Sequence, residues 1–361
     1  MGQRSIINKL TKLNLLFPIP LRLGNSSKNM NKKIFIGLIA VVVVIISIIS
    51  ITALYLAIVT PAQLQHDQNE VTQKINSEMQ ILKNVSTPYV YAGNPVGYVI
   101  DFENGAKFYF AGDTALTYDM KFVVGDYYKV DAAFLPIGDV YTMGPDSAAF
   151  AASVINPEGL KVVVPIHYGK TSCPMVNADV NDFTDSLIKY GVQAEPAIFA
   201  LGEEKDILGI KVLFLGGASW LFTTPNGNRI FVDPSMQFNG AILERFKDVS
   251  QFERVDLVLL THAHFDHMSV QDIQQWSKAY DPIFVAPYEL GVLLSGYIDS
   301  PVLSINAGGK MSMVEWRKTS FDPKRYEKFE GMTFHLVHAF HSSVMTPAGV
   351  NSFAADQYIM E

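Results

Sequence analysis

Thr261-His262-Ala263-His264-Phe265-Asp266-His267 directly follows the apolar run Val255-Asp256-Leu257-Val258-Leu259-Leu260. Three histidines and an aspartate within six positions offer imidazole and carboxylate, the donors that borderline and hard divalent ions take. The apolar run is β-type, and the cluster sits where that strand leaves for a loop, the usual place for a site. Two residues apart on an extended segment, His262 and His264 face the same side and can grip one ion. Asp266 and His267 lie past the turn and can grip a neighbour. Two ions held close together can share a nucleophile derived from water and polarise the bond under attack.

Such a centre needs further ligands, and three strand ends offer them. Asp113 follows Phe108-Tyr109-Phe110-Ala111-Gly112, His167 follows Val162-Val163-Val164-Pro165-Ile166, and His341 closes the run from Met332 to His341. Taken singly, each reads equally well as an ordinary polar cap, so their weight comes from the cluster they would complete. His335 shares strand parity with His341 and His338 does not; neither is assigned to a metal. Asp233, before Pro234, reads either as a group that orients a ligand histidine or as a turn residue ending its strand.

The rest of the chain is organised in two β-rich halves. From Tyr89 come short runs at 89–94, 96–102, 107–113, 131–139 and 161–168, with Asp101-Phe102-Glu103-Asn104-Gly105 as a hairpin turn. From Gly209 come runs at 210–217, 219–225, 228–234, 255–264, 282–287, 302–306 and 332–341. Helices are expected at about 145–155, 178–190 and 269–279. This pattern fits either two small domains or one α/β sandwich.

The N-terminal part is different in kind. Residues 34–59 form 26 consecutive uncharged, mainly apolar positions, long enough to cross about 30 Å of hydrocarbon, and they are expected to be a transmembrane helix in contact with a lipid bilayer. Arg4, Lys9, Lys12, Arg22, Lys28, Lys32 and Lys33 precede this run without any acid, which predicts a cytoplasmic N-terminus and a body outside the cytoplasm. Residues 60–86 read as a polar stalk, and Met30 as an alternative start. Setting aside those seven cations leaves 21 basic against 35 acidic side chains, about −14, a balance that argues against nucleic-acid binding. The single cysteine, Cys173, excludes an intrachain disulfide.

The motifs His262–His267, Ala339-Phe340-His341-Ser342-Ser343, Ala111-Gly112-Asp113-Thr114 and Pro165-Ile166-His167-Tyr168 resemble the ligand motifs of metallo-β-lactamase fold hydrolases. More narrowly, residues 112–121, 133–148 and 162–170 resemble metal-dependent hydrolases related to ascorbate 6-phosphate lactonase. More distantly, the chain is similar to the phospholipase D that releases N-acylethanolamines. The match covers about residues 87–350. One departure is Gly216-Gly217-Ala218-Ser219, where many relatives carry Gly-His-Ala-Ser.

The resemblance runs in inverted order. Residues 87–207 match the family's C-terminal half and 208–361 its N-terminal half, with Ala200–Ile207 resembling the last strand and Leu208–Gly217 the first. The expected architecture is therefore an α/β four-layer αββα sandwich, circularly permuted, behind the transmembrane helix. Its alternatives are two chains exchanging halves in a homodimer and a pair of truncated copies. The resemblance implies His262, His264 and His341 on one metal, Asp266, His267 and His167 on the other, and Asp113 bridging, with Asp266 and Asp113 as catalytic carboxylates. It also implies hydrolysis of an ester, lactone or phosphodiester by metal-bound hydroxide. The cofactors would be two divalent ions, zinc or manganese, and the substrate a small or lipid-like molecule. The rival is a catalytically inactive membrane-tethered binding module on the same fold.

Overall fold

Several apolar runs of this chain do not alternate: Ala132–Pro136, Val162–Ile166, Leu257–Leu259 and Ile283–Pro287 are buried at every position. Strands of this kind are covered on both faces and belong in the parallel parts of layered sheets. A computed structural model of the chain describes residues 90–168, 178–237, 242–320 and 322–345, with Ser47 alone besides. The chain divides into units 1–86 and 87–361, and all elements named below belong to the second.

In chain order the strands are β1 (Val90–Tyr91), β2 (Val96–Asp101), β3 (Lys107–Phe110), β4 (Ala132–Pro136), β5 (Val162–Ile166), β6 (Glu195–Pro196), β7 (Glu204–Ile207) and β8 (Ile210–Gly216). They continue with β9 (Ser219–Thr223), β10 (Arg229–Val232), β11 (Leu257–Leu259), β12 (Ile283–Pro287), β13 (Val302–Ile305), β14 (Lys310–Ser312), β15 (Thr333–His338) and β16 (Val344–Met345). The α-helices are α1 (Pro145–Val154), α2 (Val180–Lys189), α3 (Val270–Tyr280), α4 (Tyr288–Leu294), α5 (Met313–Thr319) and α6 (Lys324–Glu327). A π-helical segment runs from Met120 to Tyr128.

Two seven-stranded sheets result, in the orders β14-β15-β2-β3-β4-β5-β6 and β13-β12-β11-β10-β9-β8-β7. Each is mixed: β3 to β6 and β10 to β13 pair in parallel, and the remaining neighbours are antiparallel. The first sheet is laid down from both ends of the domain, because β15 pairs with β2 from Thr333↔Asp101 to His338↔Val96. The two ends are themselves paired, Val90 with Met345 and Tyr91 with Val344. At the middle, β7 turns into β8 through Leu208 and Gly209, whose φ of 53° and 84° suit a two-residue hairpin.

Alternating side chains of each sheet enter different cores. Tyr98, Phe108, Phe110 and Phe134 from the first sheet meet Trp220, Phe222, Ile230 and Leu259 from the second in the central core. The opposite face of the first sheet, with Val99, Tyr109 and Leu135, packs on Ala148, Ala152, Phe183 and Leu187 of α1 and α2. The opposite face of the second, with Phe231, Val258 and Phe284, packs on Ile273, Trp276, Leu290 and Leu294 of α3 and α4. Three cores separate four layers, helix, sheet, sheet and helix, so the choice between two small domains and one sandwich falls to the sandwich.

The expected helices at about 145–155, 178–190 and 269–279 correspond to α1, α2 and α3. Local chemistry starts two of them. Asp179 Oδ1 accepts from Asn181 N–H at 2.9 Å, and Ser269 Oγ accepts from Asp272 N–H at 3.0 Å, the N-cap bond that satisfies an otherwise orphaned donor. The π-helical segment and α4 to α6 have no counterpart among the expected helices. Lys-Phe-Val-Val at 121–124 is β-prone by composition, and burial of Met120 and Val124 overrides that preference.

The expectation of a single-pass membrane protein with its body outside the cytoplasm is corrected here. Among the described residues no helix is long and apolar enough to cross a membrane. The longest, α3, has 11 residues, about 16 Å at the usual helical rise against about 30 Å of hydrocarbon, and it buries only the face that meets the sheet. The run 34–59 (Ser47 excepted), the segments 1–33 and 60–86, and Cys173 lie outside the described residues.

Phe222 holds the sheets in register. Its ring lies 6.4 Å from Phe102, 6.3 Å from Phe108, 6.3 Å from Phe110 and 5.4 Å from Phe134, centroid to centroid. Phe222→Ala is expected to destabilise the domain by about 3–5 kcal/mol, read as a lowered midpoint in urea unfolding with little change in slope.

Candidate metal centre

Every histidine and aspartate singled out at a strand end leaves its strand in the same direction. Asp113 follows β3, His167 follows β5, Asp233 follows β10, the cluster 262–267 follows β11 and His341 follows β15. The first sheet supplies Asp113, His167 and His341, and the second supplies the rest, so the site straddles the seam between the sheets. Close backbone approach is needed to bring them together. A Cβ on Gly112 would stand 2.9 Å from the Thr261 side chain, and one on Gly138 would stand 2.7 Å from His167 O. His167 itself has φ +53°, a left-handed conformation that costs a non-glycine residue about 1–3 kcal/mol and is usually kept at functional sites.

The side chains form one continuous cluster. Asp113 Oδ2 lies 3.2 Å from His267 Nε2, 3.3 Å from His167 Nε2 and 3.8 Å from His341 Nε2. Asp266 Oδ2 lies 3.2 Å from His167 Nε2 and 3.9 Å from His267 Nε2. His341 Nε2 and His264 Nδ1 face one another at 3.1 Å, and the His262 and His264 rings are 4.6 Å apart. Three trios have potential ligand atoms within 4.8 Å of one another: His262–His264–His341, Asp113–His262–His267 and His167–Asp266–His267.

Asp233 orders this cluster from behind. Its Oδ1 accepts from Thr261 N–H at 2.8 Å and its Oδ2 from Thr261 Oγ1–H at 2.7 Å. Oδ2 also lies 2.8 Å from His267 Nδ1; with that nitrogen as donor, Nε2 is turned towards Asp113. Thr261 Oγ1 can in turn accept from His262 Nδ1, 2.9 Å away, which leaves His262 Nε2 free. Anchoring one ring nitrogen so that the other presents a lone pair is how ligand histidines are usually fixed.

Burial and charge set the protonation states. Burial alone would raise the Asp113 pKa, yet His167 and His267 override it and hold the carboxyl down at about 2. Burial likewise works to raise Asp266, and His267, His167 and His264 keep it well below the usual carboxylate range. Burial, with neighbouring rings adding to it, pushes His262 far below the ordinary histidine value. It also lowers His341 and takes His264 down to about 4 despite the opposing pull of Asp266. In His267 and His167 the carboxylates outweigh burial and raise the pKa. Asp113 and Asp266 thus stay anionic and His262, His264 and His341 stay neutral, the forms in which these groups bind metals, whereas His167 and His267 are drawn towards the protonated form and would release a proton on taking up an ion.

A donor set of this kind fits divalent cations. Asp113 Oδ1 and His262 Nε2 are buried without a hydrogen-bond partner, as is the second ring nitrogen of His167. Buried polar atoms are otherwise almost always paired, because each unpaired one costs about 1–3 kcal/mol.

All seven expected ligands and Asp233 therefore meet in one place. His335 does not join them: its Nε2 lies 3.2 Å from Asp101 Oδ2, at the far end of β2. His338 is exposed. Met143 is buried and its N–H donates to Thr114 O at 2.9 Å, so it packs under the site. Thr114, Thr261, Ser342 and Ser343 had no assigned part, although each adjoins a ligand or stands one residue from it. Thr114 Oγ1 accepts from Phe340 N–H at 3.0 Å, which ties the Asp113 loop to the His341 loop.

Asp233→Asn keeps the size of the side chain and removes its charge. Metal affinity is expected to fall by about 10- to 100-fold with unchanged circular dichroism, measured by metal analysis after equilibrium dialysis.

Comparison with known proteins supports the same family from two sides. Residues 211–353 match one model described as a β-lactamase superfamily domain, and residues 46–168 match another of that description. A UPF0173 metal-dependent hydrolase from Thermodesulfovibrio yellowstonii is 40% identical over 114 residues, 32% of this chain and 40% of its own length. One from Methanopyrus kandleri is 42% identical over 114 residues, covering 32% and 46%. The aligned stretches thus span less than half of each relative. Among solved structures, a metallo hydrolase from Ignicoccus hospitalis is 36% identical over 28% of this chain and 40% of that one, with a TM-score of 0.25. The chain has the α/β metallo-β-lactamase fold with two mixed sheets, and over these two separate stretches it is similar to domains of the β-lactamase superfamily.

Proposed function

We propose that the chain is a binuclear metal-dependent hydrolase acting on an ester, lactone or phosphodiester of a small molecule. The observation that carries this reading is the convergence of seven donor side chains, among which the buried atoms Asp113 Oδ1 and His262 Nε2 have no hydrogen-bond partner. A binding module without metal gives no reason to gather such costly groups. His262, His264 and His341 would hold one ion, and His167, Asp266 and His267 the other. Asp113 would bridge, as its Oδ2 faces rings of both trios, His341 at 3.8 Å and His167 at 3.3 Å. Zinc or manganese suits an imidazole-rich set without thiolate.

When bound, the ions would supply Lewis acidity and lower the pKa of water towards neutrality. The chain's own part is to hold the donors in fixed protonation states and to manage the proton. Asp266, with 17% of its side chain exposed against 4% for Asp113, is the carboxylate that meets solvent and would orient the attacking water by accepting a hydrogen bond from it. Asp113, closed off from solvent, keeps both halves of the site together. The resemblance of residues 112–121 and 133–148 to hydrolases related to ascorbate 6-phosphate lactonase favours a lactone or a phosphate-bearing substrate.

We also infer that the fold is circularly permuted at about residue 207, with 87–207 as its C-terminal half and 208–361 as its N-terminal half. The two-residue turn at Leu208-Gly209 supports it, since permutation requires that the original termini be neighbours, and the pairing of Val90 with Met345 keeps the two sides of the new break together. The same pairing favours a site completed within one chain over exchange between two.

Full-length protein stripped of metal with a chelator is expected to lose hydrolysis of bis(p-nitrophenyl) phosphate or a simple aryl lactone and to regain it with zinc or manganese. His264→Ala is expected to fall to background in the same assay. Metal-free protein as purified, with no difference between wild type and His264→Ala on any generic ester, would point instead to a binding module.

A further inference from the structure

His341 brings two hydroxyls with it to the site. Ser342 Oγ lies 3.2 Å from His264 Nε2, and Ser343 Oγ accepts from Ala263 N–H at 3.3 Å. Both contacts span about eighty residues of sequence and land on the short segment that carries His262 and His264. An imidazole offers a lone pair at one nitrogen when the other is engaged as a donor. With Nε2 donating to Ser342, His264 presents Nδ1, the atom that faces His341 Nε2 at 3.1 Å. Ser343 holds the peptide between the two histidines.

Ser343 is in turn fixed by the first described residues of the domain. It is 3% exposed, its carbonyl accepts from Ala92 N–H at 3.2 Å, and its hydroxyl reaches Ala92 O at 3.5 Å. Nearby, Val96 N–H donates to Thr261 O at 3.0 Å and Ala339 N–H to Pro95 O at 3.2 Å. Residues 90–96 thus form a strap across the two segments that carry His262, His264 and His341. The other trio is anchored differently, with His267 on Asp233 and His167 and Asp266 on each other.

We propose that Ser342 and Ser343 are positioning residues that lock His264 and His341 into one unit. On this view the His262–His264–His341 trio depends on the 90–96 strap and the His167–Asp266–His267 trio does not. The inference rests on reading the two trios as metal sites, and it adds that their affinities are separable by changing hydroxyls that touch no metal.

The test is titration of metal-stripped full-length protein with cobalt(II), followed by visible absorbance and by metal analysis. Wild type is expected to take two equivalents. The double variant Ser342→Ala/Ser343→Ala is expected to keep one at unchanged affinity and to bind the second at least about tenfold more weakly, with Ser342→Thr/Ser343→Thr restoring it. Ser342→Ala alone changes an exposed side chain and gives the same selective loss in smaller measure, so the test survives if the buried change impairs folding. A double variant that binds both equivalents as wild type does, or weakens both equally, overturns the proposal. Wild type that takes up no cobalt overturns the binuclear reading beneath it.

Discussion

The site depends on one buried carboxylate. Asp233 has no solvent exposure and burial works to raise its pKa, while His267 and Thr261 oppose that shift. An isolated charge in such a place would cost several kcal/mol. Here both oxygens are engaged, by the Thr261 peptide, the Thr261 hydroxyl and the His267 ring. The end of β10 is thereby bonded to the end of β11 and, through Thr261, to His262. One anion fixes the facing of two rings, and the remaining donors assemble around the lone pairs those rings present.

That arrangement needs the sheets to sit in one relation to each other. The ligands of the first sheet reach those of the second only across the seam, so an error in sheet packing becomes an error in ligand distance. The central core resists this with aromatic contacts at several crossing points: Phe134 against Trp220 at 5.6 Å, Phe199 against Trp220 at 5.2 Å and Phe222 against Phe134. Tyr98 adds a directional tie, donating its hydroxyl to Leu260 O at 2.7 Å. Dense aromatic packing deforms little, which suits a site whose donors must be held to within a fraction of an ångström.

The sequence made the 262–267 cluster legible because its signal is local: four donors at spacings a strand end can present together. Asp113, His167 and His341 were legible only as completions of that cluster, through resemblance, since nothing local separates them from polar caps. For Asp233 the orienting and turn-ending readings were equally open, and the contact that separates them is made 34 positions away. The parts played by the serines after His341 and by Thr261 were not legible, because a hydroxyl can bond almost anywhere and its partner is set by tertiary packing. Among the elements, long periodic helices were legible. The short α4 to α6 were not, as their stability comes from packing against strands rather than from any pattern of their own.

The pairing of the domain's first and last strands also constrains how the chain can be made. β2 has β3 at hand within a few residues, but its other neighbour, β15, begins more than two hundred residues later. Until that segment leaves the ribosome the first sheet has an open edge, and open edges in half-built chains invite mispairing. The first sheet is therefore incomplete until the C-terminal strand is present. The same strand covers that edge of β2 and leads into His341, so a nascent or truncated chain ending before it lacks both a finished sheet and a full set of donors.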